Sequence, residues 1–213
     1  REFDEEDLKQ YKKARNKIAD TALTNAIKTK PTPLYHKDFV SKIKTGNFED
    51  HLDKIAECDW IIEVVVERLD IKKALFDKVE KFRKPGTLIS SNTSGIPMRM
   101  MSEGRSADFK AHFLGTHFFN PPRYLRLLEI IPTKETKKEV VDFFMHFGDL
   151  HLGKRTVLCK DSPAFIANRV GVYAMSKIYQ LTEELGLDIN TVDKLTGPAM
   201  GRPNTGTFRL SDL

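Results

Sequence analysis

The sequence predicts an α/β protein: a doubly wound sheet with helices on its faces, followed by the start of an all-helical segment. Three observations point there. An aliphatic run at 59–66 is of strand length and apolar almost throughout, as a strand covered on both faces would be. An amphipathic helix pattern at 71–82 and a second apolar run at 87–90 follow it, the strand–helix–strand alternation of a doubly wound sheet. After Cys159 the strand patterns stop, and apolar residues recur every three or four positions for a long stretch, which is a helical period.

The elements follow in order. Residues 4–30 read as a helical region with Leu8, Tyr11, Ala14, Ile18, Leu23 and Ile27 near one face, ended by Pro31 and Pro33. A short strand at 42–45 and a helix at 49–57 precede the 59–66 strand. In the 71–82 helix, Ile71, Leu75, Val79 and Phe82 form the apolar stripe, and Pro85-Gly86 turns the chain into the next strand. Two more strands read at 113–119 and 124–131, then a helix at 134–147 and a strand at 155–158. Asp161 or Ser162 suits a helix N-cap, and Pro163 suits a first turn, where its missing N–H costs nothing. A helix at 164–185 buries Phe165, Ile166, Val170, Tyr173, Ile178, Leu181 and Leu185 and stops at Gly186. Another helix begins at 190–195. Gly197, Pro198, Gly201, Pro203 and Gly206 then make a loop. The domain boundary falls at 160/161.

Composition excludes several classes. With 213 residues, the chain holds one domain and part of a second. Apolar residues at 40% and charged residues at 31% are ordinary for a globular protein. No stretch approaches the roughly 18 uncharged apolar residues of a membrane span, and no apolar core of a secretory signal follows Arg1. The absent initiator Met fits a processed, tagged or truncated chain. Cys58 and Cys159 have no CxxC or metal-type spacing, so they read as reduced structural thiols of a cytoplasmic protein, with no metal. The net charge of +5 comes from lysines spread along amphipathic segments, a solvated surface and not a nucleic-acid face.

Three segments have the residue types of a reaction site. Ser90-Ser91-Asn92-Thr93-Ser94-Gly95 follows a strand directly, where ligands of open α/β sheets sit; the same run also reads as a helix N-cap. His117 ends a strand beside Phe118 and Phe119, and Glu129 stands among Leu127, Leu128, Ile130 and Ile131. A carboxylate in aliphatic surroundings is expensive unless paired, and an imidazole is the obvious partner. Such a pair orients the ring and sets its tautomer, as a general base requires. Asn168 lies in the early turns of the long helix, where its amide either meets a ligand or is merely solvated.

Together Ser91-Asn92-Thr93-Ser94, His117-Phe118-Phe119-Asn120-Pro121, Glu129 and the run from Lys160 to Arg169 resemble L-3-hydroxyacyl-CoA dehydrogenase. The wording at 60–67 and 115–131 looks closest to the long, multidomain bacterial fatty-acid-degradation members of that family. The resemblance covers residues 40–213. It implies a Rossmann-type domain with NAD as cofactor and a 3-hydroxyacyl-CoA substrate oxidised to the 3-ketoacyl-CoA. It implies that His117 takes the proton of the 3-hydroxyl and Glu129 orients His117. Ser94 would bond the substrate oxygen, and Asn168 would fix the substrate from the second domain. It also implies NAD contacts from Glu67, Lys72, Asn92, Asn120 and the backbone at Val64, and a homodimer or a place in a larger multidomain chain.

One departure is plain. The family opens with a strand, a G-x-G-x-x-G turn that holds the pyrophosphate on a helix N-terminus, and a second strand. No G-x-G-x-x-G occurs in these 213 residues. The expectation is a sheet lacking its first βαβ unit, weak NAD binding, slow or absent turnover, and apolar surface left open where strands would pair. Two rivals stand beside this one. A hydroxyacid dehydrogenase of the 6-phosphogluconate type would use a lysine as acid/base, and a non-catalytic acyl-CoA-binding or oligomerisation fragment would bind without turnover.

Overall fold

In a computed structural model of the protein, residues 5–202 and 204–211 are described, without the side chains of 5–10, 12 and 13. The expected helix start at residue 4, the place of Leu8 on its apolar face and the loop position of Pro203 lie outside the described residues. The chain divides into two compact units, Arg1–Ser162 and Pro163–Leu213.

The first unit is built on a five-stranded sheet in the order β1 (Trp60–Glu63), β2 (Leu88–Ser91), β3 (Phe113–Phe118), β4 (Leu127–Pro132) and β5 (Arg155–Leu158). β1, β2 and β3 run parallel, joined by α2 (Leu69–Phe82) and then by the short α3 (Met98–Ser102) and α4 (Ala107–Ala111). β4 turns back antiparallel to β3, and α5 (Lys138–Leu150) returns the chain to β5, parallel to β4. The carboxyl ends of β1–β3 and the amino ends of β4 and β5 therefore share one edge of the sheet.

Strand alternation divides the core into two layers. On one face Phe113 contacts Phe76 of α2 (ring centroids 5.4 Å apart) and stacks with Phe109 of α4 at 5.1 Å. Gly115 lies on that face too, and a Cβ there would come within 2.9 Å of the Met98 sulfur, so its hydrogen lets α3 close onto the sheet. On the other face Leu114, Leu128 and Ile130 pack with Val140 and Phe144 of α5. Trp60 meets the Phe144 ring edge-on at 5.0 Å and donates its indole N–H to Ser90 Oγ at 2.9 Å. Each fully buried side chain of this size contributes about 1.5–3 kcal/mol.

Several expected elements differ. Residues 42–45 form no strand: a 3-10 helix, Lys37–Lys42, ends there, and a second one, Leu52–Glu57, replaces the helix expected at 49–57. β1 stops at Glu63, and the residues read as covered on both faces are partly open, with Ile62, Val64 and Val66 exposed. The outer edge of β1 has no neighbouring strand among the described residues to cover them. α1 (Glu5–Lys28) forms, but its expected apolar face is largely open at Tyr11, Ile18 and Ile27. Polar ties hold it instead, with Asn47 Nδ2 donating to Asn16 Oδ1 at 2.7 Å and Arg15 pairing with Asp50 at 3.1 Å.

The second unit holds α6 (Ala167–Glu184), α7 (Ile189–Thr196) and α8 (Phe208–Ser211). α6 starts later than its period suggested, because Ala164 and Phe165 adopt positive φ (59° and 47°), outside the helical region. Asp161 and Ser162 do not cap it: the N-cap is Ile166, without a side-chain bond. Of the residues expected to be buried, Phe165 is, and Ile178 is half-buried. Ile166, Val170, Tyr173, Leu181 and Leu185 are exposed, since α7 and α8 are too short to cover a helix of 18 residues. α7 is capped by Asp188, whose carboxylate accepts from Thr191 N at 3.0 Å, and Asp193 accepts from Phe208 N at 2.7 Å to seat α8. Among the described residues no helix is long and apolar enough to cross a membrane.

α5 can lie flat on the sheet because Gly148 faces Thr156, where a Cβ would come within 2.4 Å of Thr156 Cγ2. Thr156 is held in place, since its hydroxyl lies within hydrogen-bond reach of Met145 O (3.1 Å) and Asp149 Oδ1 (2.9 Å), and its own N–H donates to Asp149 Oδ1 (2.9 Å). Gly148→Ala should therefore destabilise the first unit by about 1–3 kcal/mol, the usual cost of overpacking, measured as a lower urea midpoint at unchanged m-value.

Candidate active site

The shared sheet edge collects the polar residues singled out from the sequence. The β3–β4 register sets His117 directly opposite Glu129, and the His117 Nδ1–H donates to Glu129 Oε2 at 2.7 Å. Both side chains are buried, at 4% and 1% exposure. The Phe119 ring packs on the imidazole, centroids 4.4 Å apart. With Nδ1 donated to a carboxylate, the tautomer is fixed and Nε2 is the basic nitrogen. Taking up a proton there creates an imidazolium beside an anion already in place.

Behind Glu129 lies Cys159, just past β5, whose own N–H donates to Ile130 O at 2.8 Å. Burial, and then the adjacent Glu129 carboxylate, push its thiol up to about 12. The thiol stays protonated and brings no second charge to the pair.

The loop after β2 is the other half of the edge. Asn92 Oδ1 accepts from Phe118 N at 3.0 Å, so Asn92 ties the end of β2 to the end of β3. Glu67, in the loop after β1, accepts from the Thr93 hydroxyl, from Ser94 N at 3.1 Å and from Gly95 N at 3.2 Å. Partial burial opposes ionisation of Glu67, but the Thr93 hydroxyl and the Lys72 charge outweigh it and lower its pKa. A cavity of about 510 Å³ opens beside Ser94, lined by Leu69, Ile96, Pro97 and Met100 with Glu67 at its rim. Asn120 is exposed in the β3–β4 connection, and Val64 is exposed just past β1. Lys72 differs in kind: its side chain is 1% exposed and enclosed by Glu63, Val65 and Glu67. Asn168 belongs to the second unit, half-buried in the first turn of α6.

Glu63 and Cys159 were not among the sequence candidates, while Thr93 and Asp161 stood only inside candidate runs, with no role of their own at the site. Glu63 had the same signal as Glu129, a carboxylate inside an aliphatic run, with Lys72 nine positions on as its partner. Asp161 accepts from Met98 N (2.6 Å) and Arg99 N (2.9 Å), capping α3 from far along the chain, which no local pattern announces.

The residues present fit part of a dinucleotide site. The Asn92 amide, the Glu67 carboxylate and the exposed backbone past β1 stand at the carboxyl ends of parallel strands, where open sheets take such ligands. No glycine-rich turn for a pyrophosphate stands among the 213 residues.

A doubly wound sheet with polar loops at the carboxyl ends of its parallel strands is the frame of a dinucleotide-binding domain. The chain belongs to the 3-hydroxyacyl-CoA dehydrogenase family: the family's NAD binding domain matches residues 3–162. It is 50% identical over 205 residues to a probable 3-hydroxyacyl-CoA dehydrogenase of Bacillus subtilis, spanning 96% of this chain and 26% of that protein. A probable 3-hydroxyacyl-CoA dehydrogenase of Deinococcus radiodurans is 48% identical over 199 residues, 93% of this chain and 58% of that one. Among solved structures, FadB2 of M. tuberculosis superposes with a TM-score of 0.74 at 27% identity, covering 93% of this chain and 68% of that one. NAD is therefore the dinucleotide of this fold, and the chain spans well under two thirds of the first two relatives.

The two thiols should separate cleanly by reactivity. At pH 8, iodoacetamide is expected to label the exposed Cys58 and to leave the buried Cys159 untouched until the protein is denatured, read by peptide mass spectrometry. Equal labelling of both in the native state would contradict the Cys159 environment described here.

Proposed function

We propose that the protein containing this chain oxidises L-3-hydroxyacyl-CoA to 3-ketoacyl-CoA with NAD, in fatty-acid β-oxidation, and that the buried His117–Glu129 pair is the acid/base. That pair is the observation the reading rests on. His117 Nε2 takes the proton of the substrate's 3-hydroxyl as hydride leaves C3; in the reverse direction it returns the proton to the ketone oxygen. Glu129 holds the ring and balances its charge while the proton resides there. NAD, when bound, supplies the hydride acceptor. Asn92, Glu67, Asn120 and the backbone at Val64 are assigned to holding it, with Lys72 behind Glu67.

Ser94 bonds the substrate oxygen, and the apolar cavity beside it suits the carbon chain next to the reacting centre. Asn168 in the helical unit is assigned to the substrate as well, which makes 163–213 the beginning of a substrate and dimerisation domain. A homodimer or a larger multidomain chain, working in the cytoplasm with both thiols reduced, completes the reading. Two Rickettsia relatives, named putative fatty acid oxidation complex trifunctional enzymes, are 42% and 40% identical over 198 residues.

Acetoacetyl-CoA-dependent oxidation of NADH tests this, in the full-length protein and in the 213-residue chain. The full-length protein should turn over, and His117→Ala should lower kcat about 10²–10⁴-fold, the span of general acid–base catalysis, with little change in KM for NADH. Glu129→Gln should lower kcat in the same direction, because the imidazolium formed during the reaction then has no anion beside it. Activity retained in His117→Ala would move the acid/base elsewhere and favour a lysine-based hydroxyacid dehydrogenase. Turnover by the 213-residue chain alone would show that a glycine-rich turn is not needed for catalysis.

A further inference from the structure

The first unit buries a second charged cluster, and one member of it, Glu63, has no part in the chemistry above. Glu63, the last residue of β1, lies on the same face of the sheet as His117. It is 3% exposed. The Lys72 ammonium of α2 donates to both its oxygens, at 2.9 and 3.0 Å. Glu63 also accepts from Val65 N at 2.6 Å and from the Ser91 hydroxyl.

Lys72 Nζ faces two further oxygens, Val65 O at 3.2 Å and Glu67 Oε2 at 3.3 Å. Three ammonium protons thus meet four protein oxygens, and none remains for a phosphate or a ribose hydroxyl. The lysine is instead the link between two carboxylates. Glu67 gives one oxygen to it, and the other accepts from the Thr93 hydroxyl and the N–H groups of Ser94 and Gly95. The loop is gripped at both ends by one network, because Ser91 Oγ, bonded to Glu63, accepts from Thr93 N at 3.3 Å.

We infer that Glu63 and Lys72 are positioning residues: they hold the Glu67 carboxylate against the 93–95 backbone and so set where Ser94 meets the substrate oxygen. The inference rests on the role proposed for Ser94. Lys72 then acts on the reaction through Glu67. A charge this deep is a rigid strut, since the Lys72 side chain cannot leave without stranding Glu63.

Amide hydrogen exchange on the full-length protein without substrate reads the clamp directly, and steady-state kinetics on the same samples read its effect. In Lys72→Met and in Glu67→Gln the amides of Ser94 and Gly95 should exchange at least about tenfold faster, while those of Leu114 and Ile130 in the core stay unchanged. Lys72→Met should lower kcat about tenfold or more, clearly beyond any rise in the Kd for NADH that follows from loosening Glu67. If Lys72→Met fails to fold, Glu63→Gln/Lys72→Met leaves no unpaired buried charge and gives the same readouts. Unchanged exchange at 94–95, or NADH affinity falling in step with kcat/KM, would overturn the inference. Ser94→Ala and wild-type turnover, measured alongside, judge the proposed function separately: an inactive wild type ends that reading while the exchange data still decide the clamp.

Discussion

The antiparallel register of β3 on β4 is the constraint on which the site depends. Cross-strand partners in an antiparallel pair lie a few ångströms apart on one face, which is close enough for an imidazole and a carboxylate to bond directly. A slip of one residue would turn Glu129 to the α5 side of the sheet, among Leu114 and Phe144, and leave His117 with an aliphatic neighbour. The packing on both faces prevents that slip. Leu128 and Ile130 fill the layer under α5, and Ile131 lies against Gly115 on the other side. The apolar core thereby determines the geometry of the acid/base pair.

The remaining polar groups at this edge work as ties between loops that the sheet alone would leave independent. Asn92 joins β2 to β3, Glu67 joins the loop after β1 to the loop after β2, and Asp161 joins the end of the first unit to α3. Each tie uses side-chain oxygens to satisfy backbone N–H groups that have no ladder or helix partner, which is the general requirement for irregular chain near a core. A reaction site on loops gains its rigidity in this way.

Much of this was legible in the sequence, and the reasons for the rest are specific. β2, β3 and α5 could be read because most of their apolar residues are buried, and β1, α2 and β5 could be placed by their length and order although Ile62, Phe82 and Leu158 stand exposed. His117 and Glu129 could be paired because each looked expensive alone. The strand expected at 42–45 failed because its one apolar residue, Ile43, carries no period, and β1 ended early because an aliphatic run says nothing about where a sheet edge leaves it uncovered. The helix start at 164 failed for a backbone reason, positive φ at Ala164 and Phe165, which no side-chain pattern encodes. Glu63 was passed over although the argument used for Glu129 applied to it unchanged.

The Glu63–Lys72 pair has a consequence for how this sequence is able to drift. Losing either charge alone strands the other in the interior, at about 3–5 kcal/mol, a large share of the stability of a domain this size. Replacing both with apolar groups of similar volume costs far less. The two positions, nine residues apart and on different elements, therefore behave as a single unit of inheritance: they persist together or are exchanged together, with a deep fitness valley between.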